Sequence, residues 1–428
     1  MAEQQNRLST IKTLSAATIG TTLEWYDFFI AALSATVVWP AVFFPTLQPA
    51  LALAASLSSY VVTFISRPLG GYIFGHFGDK LGRKYSFLLT LALMGIASFG
   101  IAVVPSYAAI GVVGPAMIII FRIVFGVGIG GEWGGASSLV LESAPNSKHK
   151  GFLSGWVNAG LGFGAGLGAG VFVLTSTYLH SIFFTIGWRI PFVIGGIVVI
   201  IGMLIVHFAQ ESQALLARKK QGDVSNAPAN EVLKKYWKKI MMLGFAYYYA
   251  TTIVSGVAIA FVVPFLIIHH FTPAFAYTTV VVWALGMAAG AILGAAATDY
   301  ISVKKTVIIG GILVIAFIFP YTLMIQSLDP ALIYLASFVL AFFTDFGAGG
   351  PVVRLFAGSF ETRYRASGGG LVFQFGAAYG GVLLLVFPLI GAQKGGIYAI
   401  YMDIIVVISV VVALVYTALL KYEEVEYT

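Results

Sequence analysis

The stretch GHFGDKLGRK, residues 75–84, lies between two long apolar runs and is the most informative turn in the chain. Its glycines permit a tight turn and a close approach of helices. Asp79 falls near the start of the following apolar run, where a helix N-terminus favours negative charge. The excess of basic residues that is usual in cytoplasmic loops explains Lys80, Arg83 and Lys84. It does not explain the spacing of the glycines or the presence of Asp79 among basic residues. The stretch therefore predicts a structured polar turn between two membrane helices.

The composition supports a membrane protein. Of 428 residues, 59% are hydrophobic and 10% are charged, and the mean hydropathy is +0.94. A soluble domain cannot bury that much apolar surface, so we expect an all-α, polytopic membrane protein. Cysteine is absent, which excludes disulfides and thiolate metal sites, and we expect no metal and no cofactor. We also expect no cleavable signal, because the first apolar run is too long for one.

Apolar runs of about 20 residues, the length needed to cross a bilayer, recur along the whole chain. They predict twelve transmembrane helices. The predicted spans are 14–38, 51–74, 85–104, 112–141, 151–175, 189–209, 240–268, 274–298, 305–326, 331–357, 366–391 and 396–420.

The basic residues sort into alternate loops. If the N-terminus is cytoplasmic, the outside segments hold only Arg189 and Lys394, and the remaining loop lysines and arginines lie inside. The positive-inside rule therefore predicts a plasma-membrane protein with both termini in the cytoplasm. The same rule accounts for the net charge of +7 without nucleic acid as a partner. We expect the partners to be lipid, protons and a small-molecule substrate, and the protein to be a monomer.

The two halves of the chain repeat. Gly128–Gly131 recurs as Gly347–Gly350 at an offset of 219, and Glu142 recurs as Glu361 at the same offset. Asp79 recurs as Asp299 at an offset of 220. Matches at one spacing in equivalent segments predict two six-helix halves, and such halves commonly enclose a central site. The predicted division is an N-terminal half at 1–209, a cytoplasmic linker at 210–239 and a C-terminal half at 240–428.

The pattern Gly-x-x-Gly-Asp-x-x-Gly-Arg-Lys resembles the signature loop of the major facilitator superfamily. The resemblance implies the major facilitator fold, alternating access, and a gate formed by charged side chains at this loop. The residues that would form the gate are Asp79, Arg83, Lys84 and Glu142, together with Asp299. Asp299 begins a second copy of the loop that lacks the glycines and the arginine.

Five further stretches resemble the metabolite:proton symporter family within that superfamily. They are EWYDF (24–28), FFP (43–45), RPLGG (67–71), GGEWGGA (130–136) and GWRIPF (187–192). The chain departs from the family at two places, where Glu361 replaces a proline and Gln213 follows Glu-Ser. Members of the family carry oxoglutarate, citrate, shikimate, proline or betaine with protons. The resemblance thus implies proton-coupled uptake of an organic acid or zwitterion.

Arg67 and four further charged side chains fall inside apolar runs of the N-terminal half, and those four are the candidate proton-coupling residues: Glu24, Asp27, Arg122 and Glu132. Such groups are costly in lipid, so they should face partners or water inside the bundle. Related sugar porters use a helix 1 aspartate and a helix 4 arginine as their proton site, and by position these correspond to Asp27 and Arg122. The alternative is a static ion pair. Glu24 is either a second proton carrier or a structural hydrogen-bonding group. Glu132 binds substrate, passes on a proton or braces helices 1 and 4.

Further polar and aromatic side chains lie at the depth of a central cavity. Each has packing as its alternative role, and Arg354 is read as a topology or gate residue. The candidate substrate-binding residues are Tyr26, Arg122, Glu132, Asn158, Tyr247, Tyr248, Trp283, Asp345 and Gln374.

No enzyme motif is present in the sequence. Gly162–Gly170 lacks the Lys-Ser/Thr of a phosphate-binding loop, which argues against an ATP-driven pump. No nucleophile, base and orienting group can be assembled. The alternatives to metabolite symport are a proton-linked sugar symporter, a drug/proton antiporter and, from another class, a non-transporting membrane sensor. A sensor has no need of the helix 1 and helix 4 acids, which favours transport.

Overall fold

The computed structural model describes residues 2–80, 83–143, 147–208, 228–361, 364–384 and 396–422. Within them the chain is helical, and we label its twelve long helices in order. The helices are α1 Ala2–Leu33, α2 Pro49–Lys80, α3 Arg83–Val103, α4 Val113–Ile129, α5 Lys150–Tyr178, α6 Ile190–Phe208, α7 Pro228–Thr251, α8 Pro273–Ala297, α9 Val303–Gln326, α10 Pro330–Thr344, α11 Arg365–Leu383 and α12 Gly396–Leu419.

These helices confirm the predicted all-α membrane fold. Eleven helices in the described part of the chain are long and apolar enough to cross a membrane. The other is α11, whose described part has 19 residues and includes Arg365, Ser367 and Gln374. Helix α7 begins at Pro228, so the final part of the predicted linker, 228–239, is helical. Residues 209–227 lie outside the described ranges.

Four helices are irregular along their length: α1, α4, α7 and α10. Wider π-helical segments follow α1, α7 and α10, at Ser34–Val38, Thr252–Val262 and Asp345–Gly349. The rods then continue as Trp39–Phe43, Val263–Ile268 and Val352–Ala357. Helix α4 instead breaks after Ile129 and resumes as Trp133–Ser143.

A proline explains each π-helical segment. Pro40, Pro264 and Pro351 each stand two residues beyond the segment's last residue. A proline has no backbone N–H to donate to the preceding turn, and its ring crowds that turn, so the ladder upstream is forced to widen. The sequence therefore sets local irregularities in three of the helices that carry the candidate site.

The two halves meet along two helix pairs, α5 with α8 and α2 with α11. Along the first pair small side chains allow close approach: a Cβ at Gly162 would lie 2.7 Å from the carbonyl oxygen of Ala284. Near the second, a Cβ at Gly134 would collide with the carbonyl oxygen of Ala366 at the start of α11. Close packing of small residues is the usual way in which helices associate in lipid. Helices α6, α9 and α12 instead leave one face exposed.

Candidate functional site

Arg67 on α2 lies at the contact between the two halves, and its side chain is completely buried. Its Nε donates to Oε1 of Gln374 on α11 at 2.6 Å, and Gln374 Nε2 donates to the carbonyl oxygen of Gly130 at 3.0 Å. The two terminal nitrogens, Nη1 and Nη2, have no hydrogen-bond partner in the structure. A buried guanidinium with two unused donors is a strong site for an anion, because its fork matches a carboxylate.

Aromatic rings surround the guanidinium of Arg67. Its central carbon lies 5.2 Å from the ring centroid of Trp25 and 5.4 Å from that of Phe373. Phe373 stacks on Trp133 with ring centroids 4.3 Å apart, and Tyr247 approaches Phe373 at 5.5 Å. These rings come from α1, α7, α11 and the continuation of α4. They exclude water, which strengthens any charge interaction made by Arg67.

One carboxylate interacts with Arg67, and a second carboxylate interacts with the first. Glu24 on α1 and Glu132 at the α4 break are both buried, and Arg67 acts electrostatically on Glu24. Glu24 and Glu132 also interact with each other. A Cβ at Gly20, one turn before Glu24, would lie 3.6 Å from Glu132 Oε1. Glu24 Oε1 and Glu132 Oε2 have no hydrogen-bond partner. The site therefore combines one guanidinium with two adjacent acids.

Asp27 points elsewhere, toward α3 and α6. Its Oδ1 accepts a hydrogen bond from Ser98 Oγ at 2.8 Å, and Ser98 also donates to the carbonyl oxygen of Phe192 at 3.1 Å. A Cβ at Gly195 on α6 would collide with that carboxylate oxygen. Asp27 is buried, and its Oδ2 has no partner. Glu24 and Asp27 are only three residues apart in the sequence, yet their side chains interact with different neighbours.

Arg122 on α4 is buried between aromatic rings. Its guanidinium carbon lies 4.7 Å from the ring centroid of Phe125 and 5.6 Å from that of Tyr60. Among the described side chains no ion pair within 4.0 Å joins Arg122 to Asp27, although the two are close enough to interact electrostatically. Arg122 Nε and Nη2 have no hydrogen-bond partner. The structure therefore brings the predicted proton pair near each other without direct contact.

A second polar cluster belongs to α5, α7 and α10. Asp345 begins the π-helical segment of α10 and is buried, with Oδ2 unpartnered. A Cβ at Gly349 would collide with Asp345 Oδ1 and lie 2.7 Å from Asn158 Nδ2 on α5. Tyr247 and Tyr249 both interact electrostatically with Asp345, and Tyr247 also does so with Arg67. Tyr247 therefore lies between the acid of this cluster and the guanidinium of the first.

Three predicted substrate residues lie apart from these clusters. Tyr26 donates its hydroxyl to the carbonyl oxygen of Pro191 at 3.0 Å. Tyr248 shares a hydrogen bond with Ser409 on α12, so it faces the periphery of the C-terminal half. Trp283 packs against Tyr321 on α9, with ring centroids 6.3 Å apart, and borders a narrow space that Ser337 on α10 also lines. None of these three contacts joins the two halves.

The predicted gate is described only in part. The side chains of Asp79, Arg83, Lys84 and Glu142 lie outside the described residues. Asp299 accepts hydrogen bonds from the backbone N–H groups of Gly151 at 2.6 Å and Phe152 at 3.0 Å, at the first turn of α5. Arg354 Nη1 lies 3.4 Å from Asp299 Oδ1 and donates to the carbonyl oxygen of Thr298 at 2.8 Å.

Sequence reasoning missed two features of the interior. Arg67 was placed in a motif but given no site role, although a lone arginine inside the apolar run 51–74 was a usable signal. Asp403 on α12 was not considered at all. It is buried and accepts a hydrogen bond from the hydroxyl of Thr322 on α9.

Comparison with known sequences identifies a family. The sequence model of the Major Facilitator Superfamily matches residues 28–385. The inner membrane metabolite transport protein YhjE of Escherichia coli is 35% identical over 254 residues, 57% of each chain. The shikimate transporter of the same organism is 42% identical over 196 residues, 46% of this chain and 44% of the relative. These alignments span about half the length of the relatives.

A longer alignment joins the chain to the glycine betaine/proline/ectoine/pipecolic acid transporter OusA of Dickeya dadantii. The two are 28% identical over 418 residues, 94% of this chain and 82% of the relative. Among solved structures, a D-xylose-proton symporter superposes with a TM-score of 0.72 at 17% identity, covering 95% of this chain and 97% of the other. At that identity the likeness shows the fold alone.

Proposed function

Because the chain belongs to the major facilitator superfamily, we propose that it is a secondary transporter for a small organic acid or zwitterion, coupled to protons by alternating access. The observation that carries this proposal is the guanidinium of Arg67. It is buried where the halves meet and keeps two donors free of protein partners. A site between halves is reachable from either side in turn when the halves rock.

The substrate carboxylate would bind Nη1 and Nη2 of Arg67. Gln374 holds the guanidinium through Nε, which leaves Nη1 and Nη2 available to the substrate. The rings of Trp25 and Phe373 flank the same group and supply apolar contact for a small substrate. The bidentate geometry favours carboxylate over a neutral hydroxyl.

The opposite end of the substrate would meet Asp345 and Asn158. Asp345 Oδ2 and both polar atoms of Asn158 have no hydrogen-bond partner, so they can receive an ammonium or hydroxyl group. Tyr247 interacts with both Arg67 and Asp345, which supports a contact between its ring and the middle of the substrate. A zwitterion satisfies both ends. Shikimate, proline and betaine, which appear in the names of similar transporters, are all small molecules with a carboxylate. A carboxylate site at Arg67 agrees with those names.

Proton coupling would use the buried acids of the N-terminal half. Asp27 with Arg122 nearby is one candidate, and the pair Glu24 and Glu132 is the other. We further propose a plasma-membrane location with both termini in the cytoplasm, and a monomer as the working unit. Proton-linked sugar uptake is an alternative that the assay below separates from acid uptake, and drug/proton antiport is a second alternative.

The test is uptake into proteoliposomes under an imposed inward proton gradient. The panel contains proline, glycine betaine, shikimate, citrate and xylose, with unlabelled competitor as the specificity control. We expect at least one carboxylate to accumulate above its equilibrium level only when the gradient is present. Accumulation of xylose alone would move the assignment to sugar transport, and no response from any compound would overturn symport of this class.

Two arginine variants then locate the carboxylate site. Arg67→Gln should weaken binding of the transported acid by about 100-fold, because a charge-assisted bidentate contact contributes about 1.5–3 kcal/mol. Arg67→Lys keeps the charge without the fork and should weaken it by about tenfold. Arg122→Gln is the comparison. If Arg122→Gln abolishes binding and Arg67→Gln does not, Arg67 is not the anchor.

A further inference from the structure

The candidate site around Arg67 contains a pair of acids, Glu24 and Glu132, and Arg67 acts on the first of them. Glu24 and Glu132 are buried side by side, and each has a carboxylate oxygen without a hydrogen-bond partner. The guanidinium of Arg67 is the positive group that acts on Glu24. Arg67 therefore acts on one member of an acid pair and is also the proposed anchor for a substrate carboxylate.

Among the described residues Arg67 is the positive group that acts on Glu24, whereas Arg122 acts on Asp27 and on Arg67 itself. Helix α5 packs against α1 through Gly160 and Gly164, whose missing side chains leave the α1 backbone in contact. Helix α11 contributes the uncharged Gln374. The ionisable groups around Glu24 and Arg67 among the described residues are Tyr60 on α2, Arg122 and Glu132 on α4, and Tyr247 on α7.

Charge balance then links the two ligands. With the site free of substrate, Arg67 compensates one carboxylate of the pair. A substrate carboxylate that binds Nη1 and Nη2 of Arg67 takes over this compensation, and the acid pair is left with an uncompensated negative charge. Such a charge is costly in a dry site inside the bilayer. Binding of one proton from solvent by the pair removes it, and no further reactant is needed.

We infer that Arg67 is a shared counter-ion, so that a substrate carboxylate binds Arg67 only together with a proton on the Glu24–Glu132 pair. This inference rests on the proposed symport of a carboxylate. It assigns the coupling proton to the pair that contains Glu24, on which Arg67 acts, rather than to Asp27, which is hydrogen-bonded to Ser98 on another side of α1. Proton binding and substrate binding are then coupled because the substrate carboxylate and the acid pair compete for Arg67.

Proton uptake on binding measures this directly. Purified wild-type protein in weakly buffered detergent solution is mixed with proline or with shikimate, whichever the uptake panel identifies, and a pH-indicator dye reports the protons bound. We expect about one proton per carboxylate bound, and a Kd that weakens by up to about tenfold per pH unit where this proton is taken up. A wild-type Kd that is constant from about pH 5 to about pH 9 would overturn the inference without any variant.

The double variant Glu24→Gln, Glu132→Gln locates the proton. It should bind the same acid with no proton uptake and with equal Kd at about pH 6 and about pH 8. Asp329→Asn, at the exposed N-cap of α10, is the matched control and should keep the wild-type stoichiometry. Continued proton uptake by the double variant, or its loss in Asp27→Asn instead, contradicts the assignment. In either of these cases gradient-driven uptake by the wild type would still support symport itself.

Discussion

Replacing Asp299 by Asn should shift the balance between the two access states. In the structure Asp299 belongs to the turn after α8, in the C-terminal half, yet it caps the first turn of α5 in the N-terminal half. Its side chain is 4% exposed and also faces Arg354. The contact therefore exists only while this end of the bundle is closed, and it is lost if the halves separate there.

The magnitude follows from the contacts. The substitution removes the negative charge from a helix N-terminus, which is worth about 0.3–1 kcal/mol. It also replaces one charge-assisted acceptor by an amide N–H₂ group, which costs about 1.5–3 kcal/mol. A neutral amide oxygen still accepts one of the two hydrogen bonds, so we take a net loss of about 2 kcal/mol. This is about a thirtyfold shift toward the state that is open at this end.

Cysteine labelling reports that shift, because the chain has no cysteine of its own. Ser154→Cys places a thiol one turn into α5 at a fully buried position. In the Asp299→Asn background this thiol should react with a polar maleimide about thirtyfold faster than in the parent. Asp329→Asn is the control, because Asp329 also accepts two backbone N–H bonds at a helix N-terminus, but within its own helix α10. Equal labelling rates in the two variants would refute a latch between halves.

Three further predictions concern the stability of the helix bundle. Gly134→Ala should destabilise the protein by about 1–3 kcal/mol, because a Cβ there meets the backbone of Ala366; Gly135→Ala, which meets nothing within 4 Å, should leave Tm unchanged. Pro264→Ala should restore a backbone donor, raise Tm and slow uptake, as α7 would lose part of its π-helical segment. Thr322→Val should lower stability by about 1–3 kcal/mol, read as Tm, because Asp403 loses a buried donor.

The general fold was readable from the sequence because membrane helices are defined by local composition. A run of about 20 apolar residues must hydrogen-bond its own backbone in lipid, so length and hydropathy suffice to place it. The predicted spans accordingly match the helices within a few residues at most ends. The starts of α1 and α7 are the largest exceptions, since each lies twelve residues before the predicted start. At α7, Pro228 at the first helical position and Glu231 in the first turn are local start signals inside the predicted linker.

The partners of the buried charges were not readable in the same way. Arg67 and Gln374 are 307 residues apart, and only the packing of α2 on α11 brings them together. Asp27 and Glu24 share a turn, which predicts a common direction. The close approach of α6 at Gly195 nevertheless leaves room for Asp27 on the side away from Arg67. Helical spacing gives a side chain's approximate face, whereas the identity of its neighbour depends on helix order and on where glycines allow contact.

Two acids of the site, Glu132 and Asp345, lie in the irregular parts of their helices. Glu132 lies in the break of α4, between Ile129 and Trp133, and Asp345 is the first residue of the π-helical segment of α10. At such places the backbone ladder is already interrupted, so a change in helix geometry costs less than in a regular turn. A rearrangement that moves one half relative to the other would be concentrated there, and it would move these carboxylates relative to Arg67. The same segments that permit rocking would thereby change which acid the guanidinium compensates, which is the physical requirement for coupling substrate movement to a proton.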